Sequence, residues 1–202
     1  MAIRTRVRQL LALYFEEPGA RLLHAGRLTP NIVTALGLLV SGVAAYLAAV
    51  GALLPAGVVL LVAGAFDMLD GALARLSNRV SSFGAILDSV VDRLAEAFLL
   101  FGLLLFYLDN GDKIGIALVF LVLIASYMVS YIRARGEGIG VAMQEAGLVT
   151  RAERVVVMVF GLISGMAAGV TVALLIVLVF SVFTSGQRLY HVWSHTKEQP
   201  GM

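Results

Sequence analysis

Apolar stretches of bilayer length dominate this chain, and they leave few folds open to it. A helix needs about 20 mostly apolar residues to cross a hydrocarbon core. Such stretches are predicted at 31–50, 55–74, 84–107, 114–131 and 170–187. A shorter one at 154–168 is parted from the last by little more than Gly169. Thr29-Pro30-Asn31 opens the first, combining a cap with a proline in the first turn. A soluble domain is excluded, because only 14% of the residues are charged and 60% are hydrophobic, whereas soluble domains carry about 25% charged residues. The expected fold is all-α: a polytopic membrane protein with six transmembrane helices and an N-terminal amphipathic surface helix. It is read as one domain over 1–202, with a juxtamembrane segment at 1–28, the bundle at 29–193 and a tail at 194–202. No cysteine is present, which removes disulfides, thiolate metal sites and a cysteine nucleophile from consideration.

The N-terminal apolar run is short and is broken by Glu16, Glu17 and Pro18, with no small-residue cleavage site after it, so it is not read as a signal peptide. Arg4, Arg6 and Arg8 suit either a helix among anionic headgroups or simple topology anchors. The remaining basic residues set the orientation. Arg21, Arg27, Arg75, Arg79, Arg133, Arg135, Arg151, Arg154, Arg188 and Lys197 fall on one side of six helices, and only Lys113 falls on the other. This bias predicts a multi-pass protein of the inner (cytoplasmic) membrane with both termini in the cytoplasm. No nucleic-acid partner is expected.

Five carboxylates interrupt the apolar stretches: Asp67, Asp70, Asp88, Asp92 and Glu96. Each costs about 2.5–3.5 kcal/mol at membrane depth, even on a permissive insertion scale. Asp67 and Asp70 are three residues apart and share one helix face; Asp88 and Asp92 are four apart and share another. The short link between their helices predicts antiparallel neighbours with the two pairs converging. Carboxylates so close need cations to hold them. An oxygen-only ligand set favours Mg²⁺ or Mn²⁺, and four carboxylates suit two ions that would clamp a pyrophosphate. Glu96 extends the face of Asp88 and Asp92 and is expected to play a structural part, hydrogen-bonded or paired with Arg93. A carboxylate network that only pins helices, or a cation transporter or channel, is the competing reading.

The run Asp67-Met-Leu-Asp70-Gly71-Ala-Leu-Ala74-Arg75, followed by Gly84, Asp88 and Asp92 at fixed intervals, resembles the signature of the CDP-alcohol phosphotransferases. The resemblance implies a six-helix, usually homodimeric membrane enzyme that displaces CMP from a CDP-linked donor at the cytoplasmic leaflet. It implies that Asp67, Asp70, Asp88 and Asp92 are metal ligands and that Asp92 is also the general base. It further implies that Asp67, Gly71, Arg75 and Gly84 contribute to the cytidine-diphosphate pocket, with Asn31, Thr34 and Ser81 as additional nucleotide contacts.

The acceptor must be sought elsewhere in the chain. Arginines gather at the predicted cytoplasmic helix ends, as in Ser130-Tyr131-Ile132-Arg133-Ala134-Arg135, Arg151-Ala152-Glu153-Arg154 and Gln187-Arg188. Arginines facing one polar cavity would bind an acceptor carrying its own phosphate, whereas arginines serving only as anchors would snorkel to headgroups. These segments are similar to the actinobacterial phosphatidylinositol-phosphate synthases, with Arg133 where lysine is usual and Ala152 where proline is usual. That similarity implies CDP-diacylglycerol as donor and inositol phosphate as acceptor, held by Ser130, Arg133, Arg135, Arg154 and Arg188. A phosphatidylglycerolphosphate synthase, using glycerol 3-phosphate, is the nearest alternative.

Overall fold

The computed structural model describes residues 12–78, 80–143 and 146–197, and the regular structure among them is all helical. The arginines at 4, 6, 8 and 79, and the end of the tail, lie outside the described residues. A π-helical turn, Ala12–Glu16, leads into α1 (Glu17–Ala25). Then come α2 (Pro30–Ala49), α3 (Leu53–Leu76), α4 (Ser82–Asp109), α5 (Lys113–Gly138), α6 (Arg151–Ile163) and α7 (Ala167–Lys197).

The helix ends follow local chemistry. Thr29 is extended and Pro30 enters the first turn of α2. Ser81 Oγ accepts from the Gly84 amide at 3.0 Å and starts α4. Asp112 Oδ1 accepts from the amides of Ile114 and Gly115, each at 3.0 Å, and starts α5. Thr150 and Glu153 form a capping box at the head of α6.

Among the described residues, four helices are long and apolar enough to cross a membrane: α2, α3, α5 and α7. α4 has 28 residues, but Asp88, Asp92, Arg93 and Glu96 interrupt its apolar run. The predicted fifth stretch is corrected in place and length. Its helix begins at Arg151 and ends at Ile163 after 13 residues. The break before α7 falls at Ser164, Gly165 and Met166, with Gly165 at φ +69°, so Gly169 lies inside α7 instead of separating two helices.

The six longer helices close into a ring in which each packs against two others: α2 on α3, α3 on α6, α6 on α7, α7 on α5, α5 on α4, and α4 on α2. The aspartate-bearing helices α3 and α4 form no interface with one another, contrary to the expectation from their short link, because α2 packs against both. Small residues permit this. A Cβ at Gly102 of α4 would stand 2.1 Å from the Ala45 carbonyl oxygen of α2. One at Gly57 of α3 would stand 2.9 Å from the Ile163 amide of α6. Ala44, Ala48, Leu60, Leu99, Leu103, Leu162 and Leu174 fill the ring's lower interior.

The outside is apolar. Leu39, Tyr46, Phe101, Phe120, Phe160 and Val179 are all exposed, Phe160 by 71%. An apolar surface this extensive needs a lipid solvent. The chain is an integral membrane protein.

Candidate active site

The ring encloses a cavity of about 590 Å³ that all six helices line. α2 contributes Thr34, α3 Asp67 and Asp70, α4 Asp92 and Glu96, and α5 Arg133, while α6 contributes Arg151 and Arg154. The deeper wall is apolar, with Leu60, Leu99, Val122 and Val177. Charged chemistry therefore sits at one end of a space whose other end is hydrocarbon.

Asp67, Asp88 and Asp92 come together, each offering an oxygen within 4.8 Å of the others'. Asp67 reaches this point from α3 and the other two from α4. Asp67 and Asp92 line the cavity, and Asp88 joins them from outside its lining. An all-oxygen set of three carboxylates with room beside it fits a hard divalent cation.

Asp70 is placed differently. It is buried, with 5% exposure, and its Oδ2 lies 2.6 Å from the Thr34 hydroxyl, which is also 3.0 Å from the Pro30 carbonyl. Asp70 and the nucleotide-contact candidate Thr34 thus form a link between α3 and α2.

The other residues expected in the donor pocket, Asn31, Gly71, Arg75, Ser81 and Gly84, do not line the cavity. A Cβ at Gly71 would meet only Arg75 Nη1, at 3.5 Å, so the helix surface there is open. Arg75 is exposed and pairs with Glu16 of the N-terminal segment at 2.8 Å. Gly84 and Ser81 form the cap of α4, where a Cβ at Gly84 would stand 3.0 Å from Ser81 Oγ. Asn31 is exposed at the first turn of α2.

The acceptor candidates divide. Arg133 lines the cavity and pairs with Glu137 at 3.0 Å. Arg154 also lines it, but its Nε and Nη2 donate to Glu96 Oε1 and Oε2 at 2.9 and 2.8 Å. Glu96 is therefore paired with Arg154 and not with Arg93, whose guanidinium turns back to the Ser89 carbonyl. Arg188 is buried outside the cavity lining, donating from Nε to Ala146 O at 2.9 Å and from Nη1 to Val129 O at 2.6 Å. Ser130 is half-buried and Arg135 exposed, and neither lines the cavity.

Arg188 belongs to a stripe on α7 that fastens the loop before α6. Thr184 Oγ1 accepts from the Val149 amide at 3.3 Å and Gln187 Oε1 from the Leu148 amide at 2.9 Å. His191 Nε2 lies 3.0 Å from Ala142 O. Residues 184, 187, 188 and 191 share one helix face. They fix the chain just before Arg151, and so set where α6 points its arginines.

The residue that sequence reasoning left out of the site is Arg151. Its Nη1 lies 2.8 Å from Asp67 Oδ1 and 2.5 Å from Asp92 Oδ1. Together with Arg154–Glu96 it makes a two-rung ladder across the cavity, from residues 151 and 154 of α6 to residues 92 and 96 of α4. The matching i,i+3 and i,i+4 spacings are visible in the sequence, but the pairing of two helices that are not neighbours in the ring is not.

The family model for CDP-alcohol phosphatidyltransferase matches residues 27–186. The chain belongs to this family, and it is a transferase. An archaetidylinositol phosphate synthase of Pyrococcus horikoshii is 38% identical over 188 residues, covering 93% of each chain. A phosphatidylinositol phosphate synthase of Corynebacterium glutamicum is 38% identical over 180 residues, 86% of this chain and 81% of that one. The crystal structure of the Mycobacterium tuberculosis phosphatidylinositol phosphate synthase with CDP-DAG bound superposes with a TM-score of 0.81 at 33% identity, covering 88% of this chain and 93% of that chain. The same enzyme in complex with manganese and citrate gives 0.80. The family assignment sets aside the transporter and channel reading.

Proposed function

We propose that this protein transfers a phosphatidyl group from CDP-diacylglycerol to inositol phosphate, releasing CMP and phosphatidylinositol phosphate. The observation that carries this reading is the single cavity in which Asp67, Asp70 and Asp92 stand opposite Arg133, Arg151 and Arg154. The names of relatives with this chain's degree of identity support inositol phosphate over glycerol 3-phosphate.

Asp67, Asp88 and Asp92 would hold Mg²⁺ or Mn²⁺, with Asp70 one turn from Asp67 and fixed by Thr34 as a further ligand to a second ion. Bound there, divalent ions would supply positive charge to the pyrophosphate and to the departing CMP. Asp92 takes the proton from the acceptor hydroxyl as its oxygen attacks the phosphorus nearest the lipid. The bond from that phosphorus to the bridging oxygen breaks, and CMP leaves with the bridging oxygen. Gly71, Gly84 and Arg75 border the nucleotide, with Asn31, Thr34 and Ser81 beside them. Arg133 and Arg154 line the wall that we assign to the acceptor phosphate, Arg154 held there by Glu96; Ser130, Arg135 and Arg188 support that wall from outside the lining, at the ends of α5 and α7, Arg188 by fastening the loop before α6.

The proposal extends to the setting. The chain is one domain of six crossings with an N-terminal amphipathic surface segment, in the cytoplasmic membrane, with the charged end of the cavity and both termini facing the cytoplasm. The protein works as a homodimer. The test of the reaction is CMP release by purified protein with CDP-diacylglycerol and Mg²⁺. Release with inositol phosphate and not with glycerol 3-phosphate is expected; the reverse would move the chain to the glycerolphosphate reaction.

A further inference from the structure

Arg151 stands in an unusual position for an arginine beside a metal centre. One of its nitrogens, Nη1, contacts oxygens of two carboxylates, Asp67 Oδ1 at 2.8 Å and Asp92 Oδ1 at 2.5 Å. Those two residues belong to the trio whose oxygens converge within 4.8 Å. A guanidinium nitrogen and a divalent cation thus seek the same pair of residues, on opposite walls of one cavity. The head of the side chain is also incompletely used: Nε is buried with no hydrogen-bond acceptor. A buried donor without a partner is costly and points to a group that accepts from it.

We propose that Arg151 is a tethered competitor of the metal. It bridges Asp67 and Asp92, divalent cation entry displaces it, and the displaced guanidinium turns its free donors to the anionic oxygens of a bound phosphate. The exchange keeps the charges in the cavity paired. A fixed cation that neutralises the carboxylates gives way to a mobile one, and is itself released to neutralise the ligand that arrives with the metal. Arg151 can do this because it sits in the first turn of α6, where the capping box and the fastened loop hold its backbone while its side chain spans the cavity. Arg154, one turn on, cannot, because both arms of its fork are engaged by Glu96. The inference rests on the reading of Asp67, Asp88 and Asp92 as metal ligands.

The test is Mn²⁺ binding to the purified full-length protein in detergent, followed by the electron paramagnetic resonance signal of free Mn²⁺, without substrates. Arg151→Gln should tighten Mn²⁺ binding by about tenfold, as expected when an internal ligand keeps a site closed about nine-tenths of the time. Arg133→Gln removes a positive charge from the same cavity without touching the aspartates. It should change the affinity by less than about twofold, as an exposed charge acting through solvent would. Arg151→Lys keeps the charge on a compact head that cannot fork between two walls; it should tighten binding by severalfold, and it serves if the glutamine variant does not fold. Affinity in Arg151→Gln or Arg151→Lys that is unchanged, weaker, or no tighter than in Arg133→Gln would overturn the proposal while leaving the metal site standing. Absence of Mn²⁺ binding in the parent protein and every variant would sink the metal site as well.

Discussion

At the scale of single residues, the site is a set of charges that would be ruinous alone and are tolerable together. Asp92 is the most demanding of them. It faces Asp67 and Asp88 within one small volume and touches Arg151. In the proposed mechanism the base stands among the metal ligands, so that one carboxylate would orient the acceptor hydroxyl and receive its proton. Asp92→Asn keeps the shape and a side-chain oxygen but would remove the proposed base. Turnover should fall by about 10²–10⁴-fold, measured as CMP release, while binding of CDP-diacylglycerol, read as a thermal shift, is largely retained. Turnover within a few-fold of the parent would remove Asp92 from the role of base. The aspartates were legible in the sequence because charge at membrane depth has so few explanations. Arg151 was not, because an arginine at a helix start has an ordinary explanation as an anchor, and only the closed ring brings it across to Asp67 and Asp92.

At the scale of elements, the fold depends on where backbones can approach. Gly102 is the tightest such point between two long helices, with the Ala45 carbonyl in the path of any side chain. Backbone cannot give way as a side chain can. Gly102→Val should therefore destabilise by about 1–3 kcal/mol or more, seen as a lowered melting temperature in detergent with reduced activity. Gly42, on the same helix as Ala45 but with nothing within 4 Å of an added Cβ, provides the comparison, and Gly42→Ala should leave both unchanged. Equal effects at the two sites would mean that the α2–α4 approach does not limit stability. The ends of α2 and α3 were readable from hydropathy to within a few residues, whereas α5 and α7 run on past their apolar stretches, to Gly138 and Lys197, through polar and basic residues. Ring order was not readable, because all-round apolar helices carry no sign of which neighbour they choose. The short link between α3 and α4 suggested direct packing, yet α2 fills that role and the cavity exists because it does. The fifth helix was misplaced at both ends for local reasons. Thr150 and Glu153 form a cap ahead of the apolar run, and Ser164-Gly165 stops the helix within it.

At the scale of the whole molecule, orientation is the open quantity that the sequence already addresses through its arginines. The chain has no cysteine, so a single introduced one reports its side of the membrane without background. Thr196, exposed near the end of α7, and Asn110, exposed between α4 and α5, lie at opposite ends of their helices. In intact cells a membrane-impermeant maleimide should label Asn110→Cys and spare Thr196→Cys until the membrane is opened. Labelling of both in intact cells, or of Thr196→Cys alone, would overturn the six-crossing reading or its direction.

The shortness of α6 has a consequence for the lipid around the protein. In the six-crossing reading its 13 residues reach about 20 Å, well short of a hydrocarbon layer of about 30 Å. The turn at its far end closes on itself: Ser164 Oγ donates to Gly161 O at 2.6 Å and the Gly165 amide to Leu162 O at 2.9 Å. A turn so satisfied can lie beneath the headgroups, and the lipids beside it must dip to meet it. The bilayer is then dimpled on the face opposite the reaction. Thickening the membrane loads this one helix before the others, and the helix carries Arg151 and Arg154 at its other end. In that reading acyl length would act as a mechanical variable of catalysis: a membrane enriched in longer chains would strain the mount on which the arginines stand, and one enriched in shorter chains would relax it.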